Sequence, residues 1–401
     1  MEATATATRP ADSTVRSTTI NDSTGTGGGT TSPPRTTRDI GLALSGGGFR
    51  AAAFHLGCLR ALHDTDLLHR VRIVSGISGG ALLAALWAYG PPEFDAFDDT
   101  TIELLRRGLQ RSLALHAFAP SAVARNLSAA ATTIAAIPAN IIRRKRATTL
   151  RRANRTDSLV AVLAATAFGD KAMPDVTHPG LDVVLTATDL RTGAAVRFGS
   201  AASSCSRYGR ITEQVTVATA VAASAAYPLL LPALERQFTF TRRGQQHVEP
   251  VLLTDGGVYD NLGLSVLEPG RSSMFTDHVY NVPYIISCDA GRGALASKTP
   301  HFLASQAART FEIVHQRAQH AGRTRLHDWG STGRLDGFVM AYLGMRDDRL
   351  PVPLADLVAR DKVANYPTNF APMADGDITA LADRGEQLVR TLLPSYCKAL
   401  V

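Results

Sequence analysis

The chain has 401 residues with 45% hydrophobic content, which is enough to bury a large core in one elaborated domain or two. The formal net charge of +7 favours anionic surfaces such as phospholipid or nucleic acid, without choosing between them. Because its four cysteines lie far apart and follow no metal-ligand spacing, we expect neither a disulfide framework nor a zinc site, and a reducing, cytoplasmic compartment is the simplest expectation.

The first 37 residues are rich in Thr, Ser, Gly, Pro and Arg and contain no apolar segment. We predict a disordered tail over residues 1–37 and no secretory signal, because such a segment has too little apolar surface to bury. Farther along, the uncharged stretch between Glu213 and Glu235 is long enough to raise the question of a membrane span. Its prolines, Pro228 and Pro232, favour a buried helix that ends in a loop, so we expect no transmembrane helix.

A glycine-rich bend follows the first predicted strand. Residues 39–44 (DIGLAL) have the apolar run of a buried strand, and residues 51–63 have the apolar spacing of a helix. The bend between them reads SGGGFR and contains Gly46, Gly47 and Gly48. Three glycines in a row leave consecutive backbone N–H groups uncovered, so the bend predicts a site for a phosphate or for an oxyanion.

A nucleotide is the first alternative for this bend. The spacing Gly46-x-Gly48-x-x-Ala51 fits a relaxed dinucleotide-binding pattern. However, the candidate ribose carboxylates, Asp64 and Asp66, precede the next strand, whereas a ribose acid should lie at the far end of that strand. A Walker loop also fails, because no Gly-Lys-Ser or Gly-Lys-Thr follows. We therefore rank an oxyanion hole above a nucleotide site.

A second strand-to-helix joint supplies the candidate nucleophile. A short β-branched run within residues 71–80 (VRIVSGISGG) is followed at once by a helical run over residues 81–89, and the joint between them reads Gly76-x-Ser78-x-Gly80. Such a joint turns the chain sharply, so its central residue takes a strained backbone and its neighbours need almost no side chain. The Ser78 hydroxyl would stand at the sheet edge beside the amides that open the helix. The pattern predicts a nucleophilic serine; a tight turn with a capping serine is the alternative.

An insertion over residues 91–179 separates this joint from the later motifs and has the composition of a cap over an active site. Residues 102–115 predict an amphipathic helix that bears Arg106, Arg107 and Arg111.

Seven cations follow the apolar stretch 128–142 of this insertion. They are Arg143, Arg144, Lys145, Arg146, Arg151, Arg152 and Arg155. Each basic residue near an anionic bilayer is worth about 1 kcal/mol, so the cluster favours peripheral membrane contact, above all through residues 143–146. A solvated basic loop beside a buried helix explains the same pattern equally well. We expect no nucleic-acid partner, because the cations are not interleaved with aromatic residues.

The two bends, SGGGFR at 45–50 and GISGG at 76–80, in this order resemble those of the patatin-like phospholipase family and, more distantly, of the cytosolic phospholipase A2 group. The resemblance implies a three-layer α/β/α fold with a mainly parallel central sheet and a helical cap insertion. It also implies a serine–aspartate dyad without the usual histidine, whose aspartate is supplied by a late Asp-Gly-Gly or Asp-Gly-Ala motif, and lipid esters as substrates.

A motif of this kind occurs at Asp255. It ends the predicted strand 251–255 (VLLTD) and is followed by Gly256 and Gly257. An aspartate at this point would place its carboxylate at the same sheet edge as Ser78. A turn-forming Asp-Gly after a strand is the alternative, and the order of the three motifs argues against it.

The chemistry follows from these residue types. Ser78 must give up its proton as it attacks, and a partly desolvated Asp255 would accept that proton, with no metal or other cofactor. The amides of residues 46–48 would stabilise the negative charge on the former carbonyl oxygen, an effect of roughly 3 kcal/mol per donor. Arg50 follows the glycines and has an auxiliary role, either pairing with a lipid phosphate or bracing the loop.

Weaker matches support the resemblance, which covers residues 39–290. Residues 186–193 (TATDLRTG) resemble the family's strand-and-turn segment, and residues 222–228 (AASAAYP) resemble its Ala-Ser-x-Ala-x-Pro segment, which packs near the aspartate. The later predicted strand 284–289 ends in Asp289, a second carboxylate at the same edge that we interpret as structural.

Histidines are rivals to the dyad, since an Asp-His-Ser triad is conceivable. None of the eleven histidines lies in a loop after a late strand in the manner of a hydrolase triad. His315, His320 and His327 fall in or near a predicted helix over residues 302–321, where a solvated or capping histidine is the favoured interpretation.

Together these features predict one catalytic domain over residues 38–401, with the cap at 91–179 and a mainly helical C-terminal part at 300–401. We expect a lipid acyl hydrolase of the phospholipase A, lysophospholipase or esterase type that acts through an acyl-serine intermediate. The alternatives are a non-catalytic lipid- or membrane-binding protein on the same fold, which would have a broken dyad, and a nucleotide-binding oxidoreductase.

Overall fold

A ten-stranded sheet organises the molecule. The computed structural model describes residues 39–110, 155–228, 230–293 and 299–401. In chain order the strands are β1 Ile40–Leu44, β2 Val71–Gly76, β3 Asp182–Asp189, β4 Ala195–Gly199, β5 Ser204–Cys205, β6 Gly209–Ile211, β7 Leu234–Arg242, β8 Gln245–Asp255, β9 Tyr284–Asp289 and β10 Gly337–Tyr342. Their order across the sheet is β10-β9-β1-β2-β3-β4-β5-β6-β7-β8.

Helices cover this sheet in the described ranges. They are α1 Gly48–Asp64, α2 Gly79–Tyr89, α3 Phe94–Arg107, α4 Arg155–Leu163, α5 Val217–Ser224, α6 Gly257–Asp260, α7 Leu303–Ser331, α8 Arg360–Val363 and α9 Asp375–Tyr396. The three bends that the sequence singles out are the joints β1–α1, β2–α2 and β8–α6.

The sheet has a parallel part and an antiparallel part. Strands β10, β9, β1, β2 and β3 pair in parallel, whereas the pairs from β3 through β8 are antiparallel. The end of β8 also returns to β3, so that Asp255 lies opposite Ala187. Gly76, at the end of β2, lies opposite Leu185 of β3. The ends of β2 and β8 therefore meet β3 at positions only two residues apart.

The sheet is buried on both faces, which makes the fold three-layered. In β1, the side chains of Ile40, Leu42 and Leu44 belong to a large apolar cluster shared with α1, α2 and α9. Ala43 belongs to a second cluster, shared with the end of α7. A strand covered by helices on both sides needs a continuous apolar run instead of an alternating one, as its sequence shows. The predicted α/β/α fold class is thus confirmed, but the sheet mixes parallel and antiparallel pairs where a mainly parallel sheet was expected, because the strands from β3 to β8 pair antiparallel.

The predicted helix over residues 102–115 is wrong at both ends. The helix is α3, which begins at Phe94 and ends at Arg107. Its buried face starts earlier, with Phe97, and Gly108 closes it with φ of 70°. Glycine adopts a positive φ without steric cost and so commonly ends a helix, and the apolar spacing alone does not reveal this end.

Several predictions concern residues outside the described ranges. The tail at 1–37, the middle of the cap insertion at 111–154 and the cations at 143–146 are among them, and the domain boundaries stay a prediction. The uncharged stretch before Glu235 contains the short buried helix α5 and then a loop, as expected. None of the described helices combines the length and apolar character that crossing a bilayer requires.

Candidate active site

The bend after β2 has the strained geometry that its sequence predicts. Ser78 lies between β2 and α2 with φ of 53° and ψ of −116°. Such a conformation costs about 1–3 kcal/mol for a residue with a side chain. Gly76 and Gly80 are required by close packing, since a Cβ on Gly76 would lie 2.7 Å from Ala81 Cα and a Cβ on Gly80 would lie 2.3 Å from the Leu44 carbonyl oxygen. This bend over residues 76–80, called the elbow below, therefore holds Ser78 at the carboxyl end of the parallel strands.

Asp255 ends β8, and its side chain is buried. Its Oδ1 accepts a hydrogen bond of 2.7 Å from the Gly257 amide. Its Oδ2 has no hydrogen-bond partner of normal geometry among the described residues. Burial raises the pKa of Asp255 to about 6, against the lowering effect of hydrogen bonding from Gly257 and Ser78. The carboxyl group is therefore ionised at neutral pH, yet more basic than an exposed aspartate.

Ser78 and Asp255 share one cavity of about 890 Å³. Gly46, Gly47 and Arg50 line the same cavity, so five of the eight predicted site residues meet there. Hydrogen bonding from the Ser78 side chain lowers the pKa of Asp255, although no hydrogen bond of normal geometry reaches Oδ2 from the described residues. Catalytic hydrogen bonds of this kind often tighten only when substrate binds.

The three glycines of the first bend differ in what their amides do. The Gly46 N–H donates to the Asn261 carbonyl oxygen at 3.0 Å. This bond corrects the prediction that all three amides can bind an oxyanion, because the loop after α6 already occupies the first. The amides of Gly47 and Gly48 have no hydrogen-bond acceptor within the described ranges, and their φ values are 149° and 59°. These two amides remain the candidate donors of the bend.

A third free amide, that of Gly79, is one of the helix-opening amides that the sequence analysis placed beside Ser78 without naming the residue. Gly79 opens α2 directly after Ser78, and its N–H also lacks an acceptor in the part of the chain that the structure describes. A Cβ on Gly79 would lie 2.0 Å from the Gly48 carbonyl oxygen and 2.8 Å from the Gly48 nitrogen, so the bend and the helix start are in close contact. The signal in the sequence is its place as the residue after the nucleophile, at a helix N-terminus.

If the Gly47 amide binds an oxyanion, replacing Gly47 with alanine should lower kcat for a soluble ester at least about 100-fold, because the new side chain displaces that amide. A Cβ at this φ would lie 3.1 Å from both Ala51 Cβ and Arg50 Nη2. Steady-state kinetics with a soluble ester measures the effect, and circular dichroism checks the fold. Gly376→Ala is the matched control, since a Cβ there meets open space, and it should keep full activity. Normal kcat in the Gly47 variant would contradict the role of this amide.

Arg50 braces the bend from within. Its Nε donates to the Ala290 carbonyl oxygen at 3.2 Å, and its Nη1 donates to the Tyr366 carbonyl oxygen at 2.9 Å and to Thr368 Oγ1 at 2.7 Å. Burial, helped by the positive charge of Arg292, lowers the pKa of Arg50 to about 9. Of the two roles predicted for Arg50, these contacts support bracing, because they tie the start of α1 to two distant segments.

Asp289, the second carboxylate at this edge, has a structural partner. Arg323 approaches its Oδ2 with both Nε and Nη2 at 2.7 Å, and the Gly291 amide donates to its Oδ1 at 2.8 Å. The Arg323 guanidinium also lies 3.9 Å from the centre of the Tyr342 ring. Both carboxylate oxygens of Asp289 are therefore engaged, whereas Asp255 has a partner only at Oδ1, and this agrees with the structural interpretation of Asp289.

His315 lies in the cavity, whereas the sequence analysis favoured a solvated or capping side chain. Its ring stacks on Phe311 with centroids 6.0 Å apart, and burial lowers its pKa while the backbone of Gly257 opposes that effect. No hydrogen bond joins it to Ser78 or Asp255, all three residues being described. The prediction for His315 is wrong because the apolar spacing of a helix identifies the face on which a residue lies, but not which part of the protein that face contacts.

Helix α7 supplies a polar wall of the cavity that the sequence analysis did not foresee. Glu312 on this wall pairs with Arg292 at 3.2 Å and with Arg309 at 2.6 Å, so two cations share one carboxylate. Other polar residues of α7 that line the cavity are Ser305, Gln316, Gln319 and Arg323. Over the described ranges, no cluster of three or more His, Cys, Asp or Glu side chains is arranged to hold a metal ion.

Comparison with known proteins identifies a family and a fold. The family model of the patatin-like phospholipases matches residues 42–267. The structure of human GIVD cytosolic phospholipase A2 is similar at a TM-score of 0.50 and 14% identity, over 89% of this chain and 59% of that one. VipD from Legionella pneumophila aligns at a TM-score of 0.38 and 15% identity, over 90% of this chain and 67% of that one. No curated protein sequence matches this chain.

Proposed function

Because this chain belongs to the patatin-like phospholipase family, we propose that it is a lipid acyl hydrolase that cleaves carboxylic esters through an acyl-serine intermediate on Ser78. The observation that carries the proposal is one cavity that holds both a strained serine and the buried carboxyl group of Asp255, with its raised pKa. Free backbone amides lie beside that serine, on Gly47, Gly48 and Gly79. A nucleophile, a base and oxyanion donors are the parts that ester hydrolysis requires.

In the acylation step, Ser78 Oγ forms a bond to the ester carbonyl carbon while its proton passes to Asp255 Oδ2. Oδ2 is the oxygen available for the proton, since Oδ1 already accepts from the Gly257 amide. The carbonyl oxygen becomes an oxyanion, which the three free glycine amides would bind. When the intermediate collapses, the bond to the alcohol breaks, and the alcohol leaves with the proton that Asp255 holds.

Deacylation reverses these roles with water. Asp255 takes a proton from a water molecule, whose oxygen attacks the acyl carbon. The bond to Ser78 Oγ then breaks, the serine recovers its proton from Asp255, and a fatty acid is released. A base whose pKa of about 6 lies close to neutrality suits both steps, because it accepts and returns a proton with little free-energy cost.

The proposed substrates are phospholipids, lysophospholipids or neutral glycerolipids, which share a carboxylic ester. A cavity of about 890 Å³ falls in the range of small-molecule sites and offers room for an acyl ester. The polar wall of α7 would face the polar end of such a lipid.

The proposal is tested by incubating the full chain with mixed phosphatidylcholine and phosphatidylglycerol vesicles, and separately with a soluble p-nitrophenyl ester. We expect fatty-acid release from the vesicles, measured by mass spectrometry, and pre-treatment with a fluorophosphonate should stop both reactions. Vesicle binding without fatty-acid release and without a fluorophosphonate adduct would favour the alternative of a non-catalytic lipid-binding protein.

Peripheral contact with an anionic membrane, through Arg143, Arg144, Lys145 and Arg146, is also part of the proposal. The net charge of +7 supports it. Because each cation near such a surface contributes about 1 kcal/mol, changing all four to Gln should weaken vesicle binding more than about tenfold. Sedimentation with anionic vesicles measures this, and added salt should have the same effect in the unchanged protein. Binding that ignores both changes would refute the contact.

A further inference from the structure

Ser224, the last residue of α5, uses its hydroxyl in the backbone of the elbow. The side chain is fully buried, and its Oγ accepts a hydrogen bond of 2.9 Å from the Ser78 amide. The same Oγ donates its proton to the Thr186 carbonyl oxygen at 2.7 Å. The direction of both bonds is certain, because an N–H group can only donate and a carbonyl oxygen can only accept.

The segment that carries this hydroxyl also holds the strand of the candidate base. The Asp255 amide donates to the Ala226 carbonyl oxygen at 3.0 Å, and the Gly256 amide donates to the Ser224 carbonyl oxygen at 3.2 Å. The Thr254 hydroxyl adds a further bond of 2.9 Å to Ala226. Residues 224–226 therefore bind the backbone amide of Ser78 and the backbone amides of Asp255 and Gly256.

The hydrogen bond from the Ser78 amide to Ser224 Oγ lies at the residue of the elbow whose backbone conformation is strained. Ser78 has a positive φ, which a residue with a side chain keeps only when its surroundings hold it there. The bond to Ser224 fixes the plane of the peptide between Ile77 and Ser78, and that plane determines where the Ser78 side chain points. It also engages the Ser78 N–H, so this amide cannot compete with the glycine amides for an oxyanion.

We propose that Ser224 is a positioning residue whose hydroxyl holds the amide of Ser78 and so sets the Ser78 hydroxyl in register with Asp255. Its motif, AASAAYP at 222–228, is placed near the aspartate by family resemblance, but here the serine hydroxyl acts on the nucleophile. The inference rests on the proposed role of Ser78 as nucleophile.

The test compares Ser224→Ala with Thr101→Val. Thr101 is also fully buried, and its hydroxyl donates to the Phe97 carbonyl oxygen at 2.9 Å within α3, outside the cavity lining. In Ser224→Ala we expect kcat for a soluble ester and the rate of fluorophosphonate labelling to fall about 10- to 100-fold, because a misplaced nucleophile reacts more slowly, with KM changed less than about twofold. In Thr101→Val, Tm should fall by about as much as it does in Ser224→Ala, while kcat and the rate of labelling stay normal.

A graded variant and an activity-independent measurement complete the test. Ser224→Cys keeps a weak donor and a weak acceptor, so its kcat should lie between those of the unchanged protein and Ser224→Ala. Hydrogen exchange at the Ser78 amide should be faster in Ser224→Ala and unchanged in Thr101→Val. If Ser224→Ala lowers only Tm, with normal kcat and normal exchange, the hydroxyl is purely structural and the proposal is overturned. If the unchanged protein neither turns over ester nor reacts with fluorophosphonate, the proposed function fails instead, while the exchange result still decides whether Ser224 holds the amide.

Discussion

Replacing Ser78 with alanine should abolish fluorophosphonate labelling and lower kcat/KM for ester hydrolysis at least about 1000-fold, because the acyl-serine intermediate then cannot form. The backbone of the elbow should persist, since an alanine Cβ occupies the same space as the serine Cβ. Labelling followed by intact-mass spectrometry, together with ester kinetics, measures the loss. Labelling that survives in Ser78→Ala would place the nucleophile elsewhere.

Ser75 offers a matched control on β2, the strand that leads to Ser78. It lies three positions before Ser78, is fully buried, and its hydroxyl has no hydrogen-bond partner in the described ranges. Ser75→Ala removes a buried hydroxyl that plays no part in the proposed chemistry, so labelling and kcat should both remain normal. A loss in this control as large as that in Ser78→Ala would mean that the strand, and not the nucleophile, is sensitive to substitution.

Replacing Asp255 with asparagine should lower kcat at least about 100-fold, because an amide cannot accept the serine proton. In the unchanged protein, kcat/KM should fall about tenfold per pH unit below about pH 6, where the carboxyl group becomes protonated. A pH–rate profile from pH 4.5 to 8 measures this fall in kcat/KM at low pH. The residual activity of Asp255→Asn should not show the fall. Normal turnover in this variant, combined with loss of turnover in His315→Ala, would replace the dyad with a histidine-dependent mechanism.

The same substitution should stabilise the protein at neutral pH. The fold raises the pKa of Asp255 from 3.8 to about 6, so keeping the carboxylate charged costs folding free energy at any pH above the folded value. A shift of this size corresponds to at most about 3 kcal/mol, and the cost disappears as pH falls below the unfolded value, where both states are protonated. Denaturant unfolding should therefore show Asp255→Asn to be more stable than the unchanged protein at pH 8, with the difference narrowing at pH 5.

Asp289→Asn is the contrasting variant for stability. Removing this carboxylate leaves the Arg323 guanidinium without its partner, so the free energy of unfolding should fall by about 3 kcal/mol instead of rising. Opposite signs for two buried aspartates at one sheet edge would distinguish a carboxylate held for chemistry from one held for structure. Equal destabilisation in both variants would contradict the unpartnered state of Asp255 Oδ2.

The sequence analysis located the bends because their causes are local. Gly76 is required by its contact with Ala81, five residues later, and the strand-to-helix change around this bend is visible as a change of apolar period. Asp255 was found because the resemblance to the patatin-like phospholipases implies a late Asp-Gly-Gly motif, and residues 255–257 match it. The fold class was likewise implied by that resemblance, and the continuous apolar run of β1 agrees with a sheet covered on both faces.

Other features of the site depend on partners that are distant in the sequence. The three glycines of the first bend are equivalent as letters, and only the Asn261 carbonyl oxygen distinguishes Gly46 from the two that follow. His315 was assigned to a solvated or capping position because nothing in its helix shows that one face closes the cavity. The Asp-Gly-Gly motif also does not predict that β8 pairs antiparallel with β3, which places Asp255 opposite Ala187.

The sequence by itself determined the glycine-bearing bends and the candidate serine, because backbone strain and apolar periodicity act between near neighbours. The family resemblance of those bends then implied the aspartate motif and the layered fold. Tertiary structure alone decided which amides are free, how far the pKa of the aspartate rises, and that the hydroxyl of Ser224 holds the amide of Ser78. The physical reason is that hydrogen-bond satisfaction and desolvation are set by the whole surroundings of a group, and those surroundings come from segments far apart in the chain.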